Sequence, residues 1–217
     1  MIPRYSLPEI AELFTDEARF GAWLEVEILA VEAWSRLGVI PAADARTVRD
    51  RAGFDVDAIL EREKITEHDV AAFVDVVQER VGMPAGAWVH YGLTSSDVVD
   101  TALALQMTRA LDRIIPAAAA LEAAITRRAH EYRTTPMVGR THGIHAEPTT
   151  FGAKLALWAL QVRRDRARLE RAREAIAVGK LSGAVGTYSN IDPVVEREVC
   201  AALGLDRKST RLNSSHT

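Results

Sequence analysis

An apolar side chain recurs at every third or fourth residue between positions 103 and 125, and this spacing predicts one face of a long α-helix. Such a face needs a partner helix to cover it. Pro116 falls inside the segment and predicts a kink or break near Ile115, unless a neighbouring helix holds the bend. The apolar positions are Leu103, Met107, Leu111, Ile114, Ala118, Leu121 and Ile125.

Helical periodicity dominates the remaining sequence, and the alternation typical of strands is hard to find, so we expect an all-α fold. A second long helix is predicted from about Thr149 to Val178, with Pro148 just before it and Gly179 just after it. Arginines and acids alternate along it, which favours a solvated or subunit-facing surface with spaced ion pairs. Shorter helices are predicted over residues 8–14, 16–37, 42–52, 56–63, 67–80 and from 97 onward.

These elements suggest a small N-terminal helical domain, residues 1–93, followed by the first long helices of an incomplete bundle domain, residues 94–206. The boundary is placed near Leu93, because Gly92 and a run of helix-capping residues intervene there. Residues 207–217 abandon the Ala-rich apolar pattern abruptly and are interpreted as a non-native tail. We therefore expect the natural chain to continue past Asp206 and this chain to be a fragment.

Composition excludes several classes of function. The 217 residues are 48% hydrophobic and 26% charged with a net charge of −3, which predicts neither a nucleic-acid partner nor a membrane protein. The single cysteine, Cys200, excludes an internal disulfide or a multi-cysteine metal site and is best interpreted as a small buried residue. The first 20 residues have no secretory signal pattern, so a cytoplasmic protein is expected.

Four segments concentrate hydroxyl, imidazole and charged side chains in glycine-flanked turns, and this density suggests a functional site. Two of them carry a hydroxyl followed three residues later by an acid, the pattern of a capping box at a helix start. A helix N-terminus also binds carboxylates or phosphates, so capping combined with anion binding is favoured over capping alone. The four segments are 66–69, 90–97, 138–151 and 179–190.

Two histidines in these segments, His68 and His142, each lie beside hydroxyl or acidic residues at a predicted helix edge and could move a proton near neutral pH. His142 and His145 could be misread as a metal pair, but Gly143 argues for a turn, and no metal site is predicted. In the last segment, predicted to be a flexible polar loop, Lys180 and Ser182 could hold an anionic substrate; a plain connection between helices is equally compatible.

Several of these motifs resemble the adenylosuccinate lyases, a family within the fumarase/aspartase superfamily. The resemblance covers residues 1–206, and motifs of this length in this order are specific to the family rather than the superfamily. It implies an all-helical homotetramer built around a long helix bundle, with each active site drawn from three subunits and with no cofactor or metal. The matching segments are 4–6, 66–73, 90–101, 139–148 and 179–187.

The resemblance also implies a reaction in purine nucleotide biosynthesis. Adenylosuccinate is split into AMP and fumarate, and the succinylcarboxamide ribotide SAICAR is split into AICAR and fumarate. His142 would be the general acid, and His68 would assist from the phosphate or leaving-group side. The remaining residues would bind substrate: Thr94 and Ser95 would hold a carboxylate, Thr141 would support the same substrate, and Arg4, Tyr5, Glu67, Asp69 and His90 would lie near the nucleotide.

One motif of the family is missing from this sequence. The family's general base is a serine in a later motif of the form Ser-Ser-x-Met-Pro-x-Lys-x-Asn, which Ser214 and Ser215 do not begin. The chain alone is therefore expected to bind substrate poorly and not to turn it over. Two alternatives remain open: a superfamily cycloisomerase with the same bundle, and a non-catalytic helical assembly protein, which would have no reason to concentrate His, Arg and Thr in turns.

Overall fold

The computed structural model describes residues 2–207, which fall into two compact units. The first unit contains residues up to 108 and from 176 onward, and the second is Arg109–Ala175. Helix α6 contributes residues to both units. The domain boundary expected near Leu93 stays a prediction, because a compact unit is not necessarily a domain that folds independently. Within the described residues the helices are α1 (Pro8–Ala11), α2 (Asp16–Arg36), α3 (Ala42–Arg51), α4 (Val56–Thr66), α5 (Asp69–Val81), α6 (Ser95–Glu131), α7 (Phe151–Ile176) and α8 (Pro193–Leu203).

Helices α1 to α5 confirm the sequence predictions to within a few residues, whereas α8 was not predicted. Side-chain caps explain where two of them begin. The Thr15 hydroxyl accepts a hydrogen bond from the Ala18 N–H at 3.1 Å, and the Asp55 carboxylate accepts one from the Ala58 N–H at 2.8 Å. Each cap satisfies a backbone donor that the first turn of a helix leaves without a partner.

An aromatic cluster forms the centre of the first unit. The rings of Phe20, Trp23, Phe54 and Phe73 lie 5.2–6.3 Å apart, in stacked, edge-on and tilted pairs. Phe20 and Phe73 have no exposed surface. Aromatic pairs contribute beyond their buried area, so this cluster anchors α2 against α5 and the segment between α3 and α4.

Helix α6 continues through Pro116, so the predicted break near Ile115 does not occur. The proline removes the hydrogen bond that would reach the Asp112 carbonyl. In the second unit, ion pairs tie α6 to α7 on both sides of this defect: Arg173 contacts Asp112 at 2.5 Å, and Arg163 contacts Glu122 at 2.7 Å. A neighbouring helix therefore holds this segment, and α7 carries the spaced ion pairs expected from its sequence.

A β-hairpin precedes α7, contrary to the prediction of a helix beginning at about Thr149. Strand β1 (Pro136–Thr141) pairs antiparallel with β2 (Ile144–Thr150), and α7 begins only at Phe151. The sequence analysis missed these strands because glycines and prolines interrupt their alternation. The Thr150 hydroxyl accepts a hydrogen bond from the Ala153 N–H at 3.1 Å and so marks the true start of α7.

The first unit also contains two short strands. Strand β3 (Val178–Gly179) pairs in parallel with β4 (Asp206–Arg207). Arg207, which the sequence analysis assigned to a non-native tail, also pairs through its Nε with the buried Glu196 carboxylate at 3.1 Å. The rest of the predicted tail, residues 208–217, lies outside the described residues.

Candidate active site

The starts of α5 and α6 bring two of the predicted motifs together in the first unit. His68 Nε2 lies 3.3 Å from Ser95 Oγ, across 27 residues of sequence. His68 itself occupies the N-cap of α5, so the predicted capping role of Thr66 was wrong. Thr66 ends α4 instead and donates its hydroxyl proton to the His68 carbonyl at 2.9 Å. The two segments thus form one polar surface at two helix N-termini.

The contacts of the His68 ring indicate which of its nitrogens accepts a hydrogen bond. Nδ1 lies 3.4 Å from the Ala71 N–H, which it caps by accepting a hydrogen bond, and 3.4 Å from an Asp69 carboxylate oxygen. A nitrogen that accepts from Ala71 carries no proton, and the ring proton then resides on Nε2, facing Ser95. A protonated Nδ1 would instead favour Asp69.

Asp97, which the sequence analysis noted only as a cap, is the polar centre of the α6 N-terminus. Its side chain has no exposed surface. The carboxylate accepts hydrogen bonds from the Thr94 N–H at 3.0 Å, as the capping pattern predicts, and from the Ser182 N–H at 3.1 Å. The Gly183 N–H donates to it as well, at 3.2 Å. Asp97 therefore fixes the 179–183 segment against the start of α6.

Lys180 completes this arrangement. Its ammonium lies 2.8 Å from Asp97 and donates to the Gly183 carbonyl at 2.7 Å and to Ser96 Oγ at 3.3 Å. Residues 179–183 are buried, so the prediction of a flexible polar loop was wrong for this half of the segment. The backbone amide of Ser182 is committed to Asp97. The charge of Lys180 is thus balanced inside the fold, and whether it also reaches substrate stays a prediction.

A second buried carboxylate, Glu196 of α8, also escaped the sequence analysis. It accepts hydrogen bonds from the Leu181 N–H at 3.0 Å and from the Tyr188 hydroxyl at 2.9 Å. Cys200 lies one helical turn further along α8 and is buried, as predicted. Burial raises the pKa of its thiol to about 12, with a further contribution from the Glu196 charge. Cys200 is therefore an unreactive packing residue.

His90 forms a buried pair with Glu27 of α2, another residue that the sequence analysis missed. Its Nδ1 lies 2.6 Å from one Glu27 carboxylate oxygen, and its backbone N–H donates to the other at 2.8 Å. Burial alone would lower the pKa of His90, but the hydrogen bond that its ring donates to Glu27 and the negative charges of Glu27 and Asp97 together raise it above the usual value. The sequence offers one signal for this role. Glu27 lies in the middle of an apolar helix face, and a carboxylate without a partner is rarely buried.

In the second unit, the hairpin turn holds His142. The structure corrects the expectation that His142 lies at a helix edge, because His142 and Gly143 form the two-residue turn between β1 and β2. Both have positive φ, 51° and 76°, as the tight turns of two-residue hairpins require. Thr141 Oγ1 lies 2.8 Å from His142 Nδ1, which fixes the ring. Nε2 of this exposed side chain is the nitrogen left to act on another molecule.

The other predicted site residues lie on the surface of the first unit. The Arg4 guanidinium lies 4.8 Å from the centroid of the Tyr5 ring, and the Tyr5 side chain is 73% exposed. Glu67 is exposed and ends α4 in a left-handed conformation. Asp69 is half-buried and accepts a hydrogen bond from the Val70 N–H at 2.8 Å. These contacts leave their charged groups accessible.

Several of the predicted site residues also have an unusual backbone conformation. Four non-glycine residues of the described chain have positive φ: Glu67, His90, His142 and Tyr188. Three of them are predicted site residues. A positive φ is unfavourable for a side chain with a Cβ, and such residues cluster at functional sites. This signal is not visible in the sequence.

Residues 2–207 contain no group of three or more His, Cys, Asp or Glu side chains that could hold a metal ion. No helix in the same range has the length and apolar character needed to cross a membrane.

Known structures define the class of protein. The chain superimposes on 3-carboxy-cis,cis-muconate lactonizing enzyme from Pseudomonas putida with a TM-score of 0.86 and 28% identity, covering 94% of this chain and 48% of that one. For a fumarate lyase from Mesorhizobium sp. BNC1 the TM-score is 0.84 and the identity 31%, covering 91% and 48%. The fold is therefore that of the helical fumarate lyase superfamily, as the sequence predicted.

Residues 4–217 match the family model described as Lyase, and the chain belongs to that family. It is also similar to adenylosuccinate lyase from Bacillus subtilis (strain 168), with 55% identity over 205 residues, which is 94% of this chain and 47% of the relative. The chain spans about half the length of the curated relatives it matches.

Proposed function

We propose that this chain carries part of the active site of an adenylosuccinate lyase, an enzyme of purine nucleotide biosynthesis. The reaction is the elimination of fumarate from adenylosuccinate to give AMP, and from SAICAR to give AICAR. The single observation that carries the substrate assignment is the 55% identity to adenylosuccinate lyase from Bacillus subtilis, against 28% for the muconate lactonizing enzyme of the same fold.

Elimination requires three functions from the protein. A base removes a proton from the carbon beside a carboxylate, donors stabilise the charge that develops there, and an acid protonates the departing nitrogen. The residues described above supply candidates for the second and third functions. We assign no general base among residues 2–207.

His142 is the proposed general acid. Its ring projects from a tight two-residue turn and is held through Nδ1 by Thr141, which leaves Nε2 to deliver a proton to the leaving nitrogen. Thr141 thus acts mainly on the orientation of the ring and secondarily on substrate. A histidine suits this role because its pKa ordinarily lies near neutrality.

The surface that joins His68 and Ser95 is proposed to bind the anionic parts of the substrate. The positive ends of the α5 and α6 helix dipoles meet at this surface and favour an anion there. Thr94 and Ser95 supply hydroxyl donors for a carboxylate, and His68 supplies a proton or a hydrogen bond from the opposite side. Arg4, Tyr5, Glu67, Asp69 and His90 are the proposed nucleotide contacts.

Lys180 and Ser182 enter the proposal with a changed role. The Lys180 ammonium already contacts Asp97, and the Ser182 amide does so too. Removing either contact for substrate would leave a buried charge or donor unsatisfied, which is unfavourable. We therefore propose that they organise the α6 N-terminus and that only the Ser182 hydroxyl is available to a ligand.

Assembly into a cytoplasmic homotetramer is part of the proposal. The apolar stripe of α6 keeps substantial exposure in the single chain, with Leu103 at 48% and Leu121 at 51%. Trp158 of α7 is 52% exposed. Long helices with exposed apolar faces are stabilised by packing against other helices, which the proposed assembly supplies.

A chimera tests the substrate assignment. Residues 1–206 of this chain replace the matching region of the Bacillus subtilis relative, and the product is assayed with adenylosuccinate and with 3-carboxy-cis,cis-muconate. We expect fumarate release from adenylosuccinate and no lactone from the muconate. Lactone formation would favour the cycloisomerase alternative, and a folded chimera inactive on both would favour a non-catalytic assembly role. The unmodified relative is the control for each assay.

A further inference from the structure

The turn that contains His90 is fixed from two helices. The Trp34 indole N–H of α2 donates to the Tyr91 carbonyl at 3.1 Å, and the Gln78 amide of α5 donates to the Val89 carbonyl at 3.2 Å. Between these two contacts, the backbone N–H of His90 donates to Glu27 at 2.8 Å. The residue is thus held in a left-handed conformation, φ 69°, that it would not otherwise favour.

Glu27 is committed to His90 through both of its carboxylate oxygens. One accepts from the backbone N–H, and the other lies 2.6 Å from Nδ1. The Glu27 side chain is only 1% exposed. A carboxylate withdrawn from water needs a positive partner, because an isolated buried charge is strongly unfavourable. Within residues 2–207 the imidazolium of His90 is the cation in contact with it.

A second carboxylate near the ring acts in the same direction as Glu27. Asp97 of α6 adds a second negative charge, although Lys180 balances part of it at 2.8 Å. The side chain that reaches the turn from α5, Gln78, is uncharged. Burial opposes the charged ring, but the two carboxylates outweigh it. Within residues 2–207, the His90 ring forms its hydrogen bond through Nδ1, and the side chain keeps 22% of its surface exposed.

We propose that Glu27 is a positioning residue that holds the His90 ring as a cation with fixed orientation, so that its Nε2–H is a charged donor for an anionic oxygen of the substrate. The use of this donor rests on the proposed function, whereas the pair itself does not. A charged donor forms a shorter and stronger hydrogen bond to a carboxylate or phosphate than a neutral one.

Glu27→Gln separates charge from shape. The glutamine can still accept from the His90 backbone N–H, and its amide can donate to Nδ1 only if that nitrogen has lost its proton. The variant therefore favours a neutral ring in nearly the same position. Glu27→Asp keeps the charge, and Glu32→Gln removes a negative charge from the same helix at a residue that pairs with Arg49 instead.

The test is a titration of the His90 ring nitrogens by NMR, on this chain as it stands. In the unmodified chain the ring should remain protonated above the ordinary histidine midpoint of about 6.5. The midpoint should fall by about one pH unit or more in Glu27→Gln, and stay raised in Glu27→Asp and Glu32→Gln. An ordinary or lowered midpoint in the unmodified chain would overturn the proposal by itself, even if Glu27→Gln did not fold.

The chimera described above adds a functional measurement. Glu27→Gln should raise KM about tenfold above neutral pH while changing kcat little, and Glu27→Asp should restore most of the loss. An unchanged KM across the pH range would contradict the donor role. A chimera with no activity at all would count against the proposed function, and the NMR titration would still decide the pair.

Discussion

The two units differ in how deeply they bury their polar side chains. In the first, the buried Asp97 pairs with the buried Lys180, and the buried Glu27 pairs with the half-buried His90. In the second, the hairpin exposes His142, whose described side-chain partner is its neighbour Thr141. The polar pairs of the first unit are therefore completed within this chain, whereas the hairpin fixes only the orientation of one ring.

This difference follows from what each unit can bury. The first unit has an aromatic centre and several short helices, which surround polar groups and make their pairing obligatory. The second consists of segments of two long helices and a two-stranded hairpin, and a hairpin alone has no second layer to cover it. Mutations of the buried polar pairs in the first unit should therefore reduce stability most, whereas mutations of the hairpin turn should reduce catalysis without a loss of stability.

The largest effect is expected for Asp97→Ala. The substitution removes the acceptor for three backbone amides and leaves the Lys180 ammonium buried without its partner. We expect a loss of about 3–5 kcal/mol in the free energy of unfolding, measured by urea denaturation. Asp112→Ala, which breaks an exposed ion pair in the second unit, should remain near wild type. Equal losses of unfolding free energy in both variants would contradict the proposed difference in stability between the two units.

Gly179→Ala should be the next most damaging change. A Cβ at this position would lie 2.6 Å from the buried Cys200 Sγ, so packing must shift. We expect a destabilisation of about 1–3 kcal/mol by the same measurement. Cys200→Ala in the same chain should recover part of it. Gly21→Ala is the matched control, because no atom lies within 4 Å of its added Cβ; a similar loss there would exclude the packing explanation.

In the hairpin, Thr141→Val should leave stability unchanged and reduce turnover. The substitution keeps the shape of the side chain and removes the hydroxyl that holds His142 Nδ1. We expect kcat of the chimera to fall about tenfold, the value of one neutral hydrogen bond. Thr149→Val, on the second strand of the same hairpin, should have little effect. A loss of thermal stability in Thr141→Val would show that this hydroxyl supports the fold instead.

The smallest effect concerns pH. Because the pKa of His90 is raised in the folded chain, its contribution to stability is complete below the unfolded midpoint of about 6.5 and is lost as pH rises through the folded value. Urea denaturation between pH 6 and 9 should show this decline in the unmodified chain. Glu27→Gln should remove or reverse it. Parallel curves for the two chains would contradict the ion pair.

The sequence predicted the helices well because their apolar spacing and caps are local signals. It also predicted that His68, Ser95 and Thr141 lie in polar turns, and the structure brings the first two together. Glu27 and Glu196 could not be found this way, because their partners are distant in sequence and their roles depend on burial. The hairpin was missed because Gly139 and Pro148 interrupt its alternation.

Substitution of His142 in the chimera tests the central claim most directly. His142→Ala should reduce fumarate release from adenylosuccinate by about 10²–10⁴-fold with no change in thermal stability, as expected for loss of a general acid. His130→Ala, an exposed histidine outside the polar turns, should keep full activity. Undiminished fumarate release by a folded His142→Ala chimera would contradict the account.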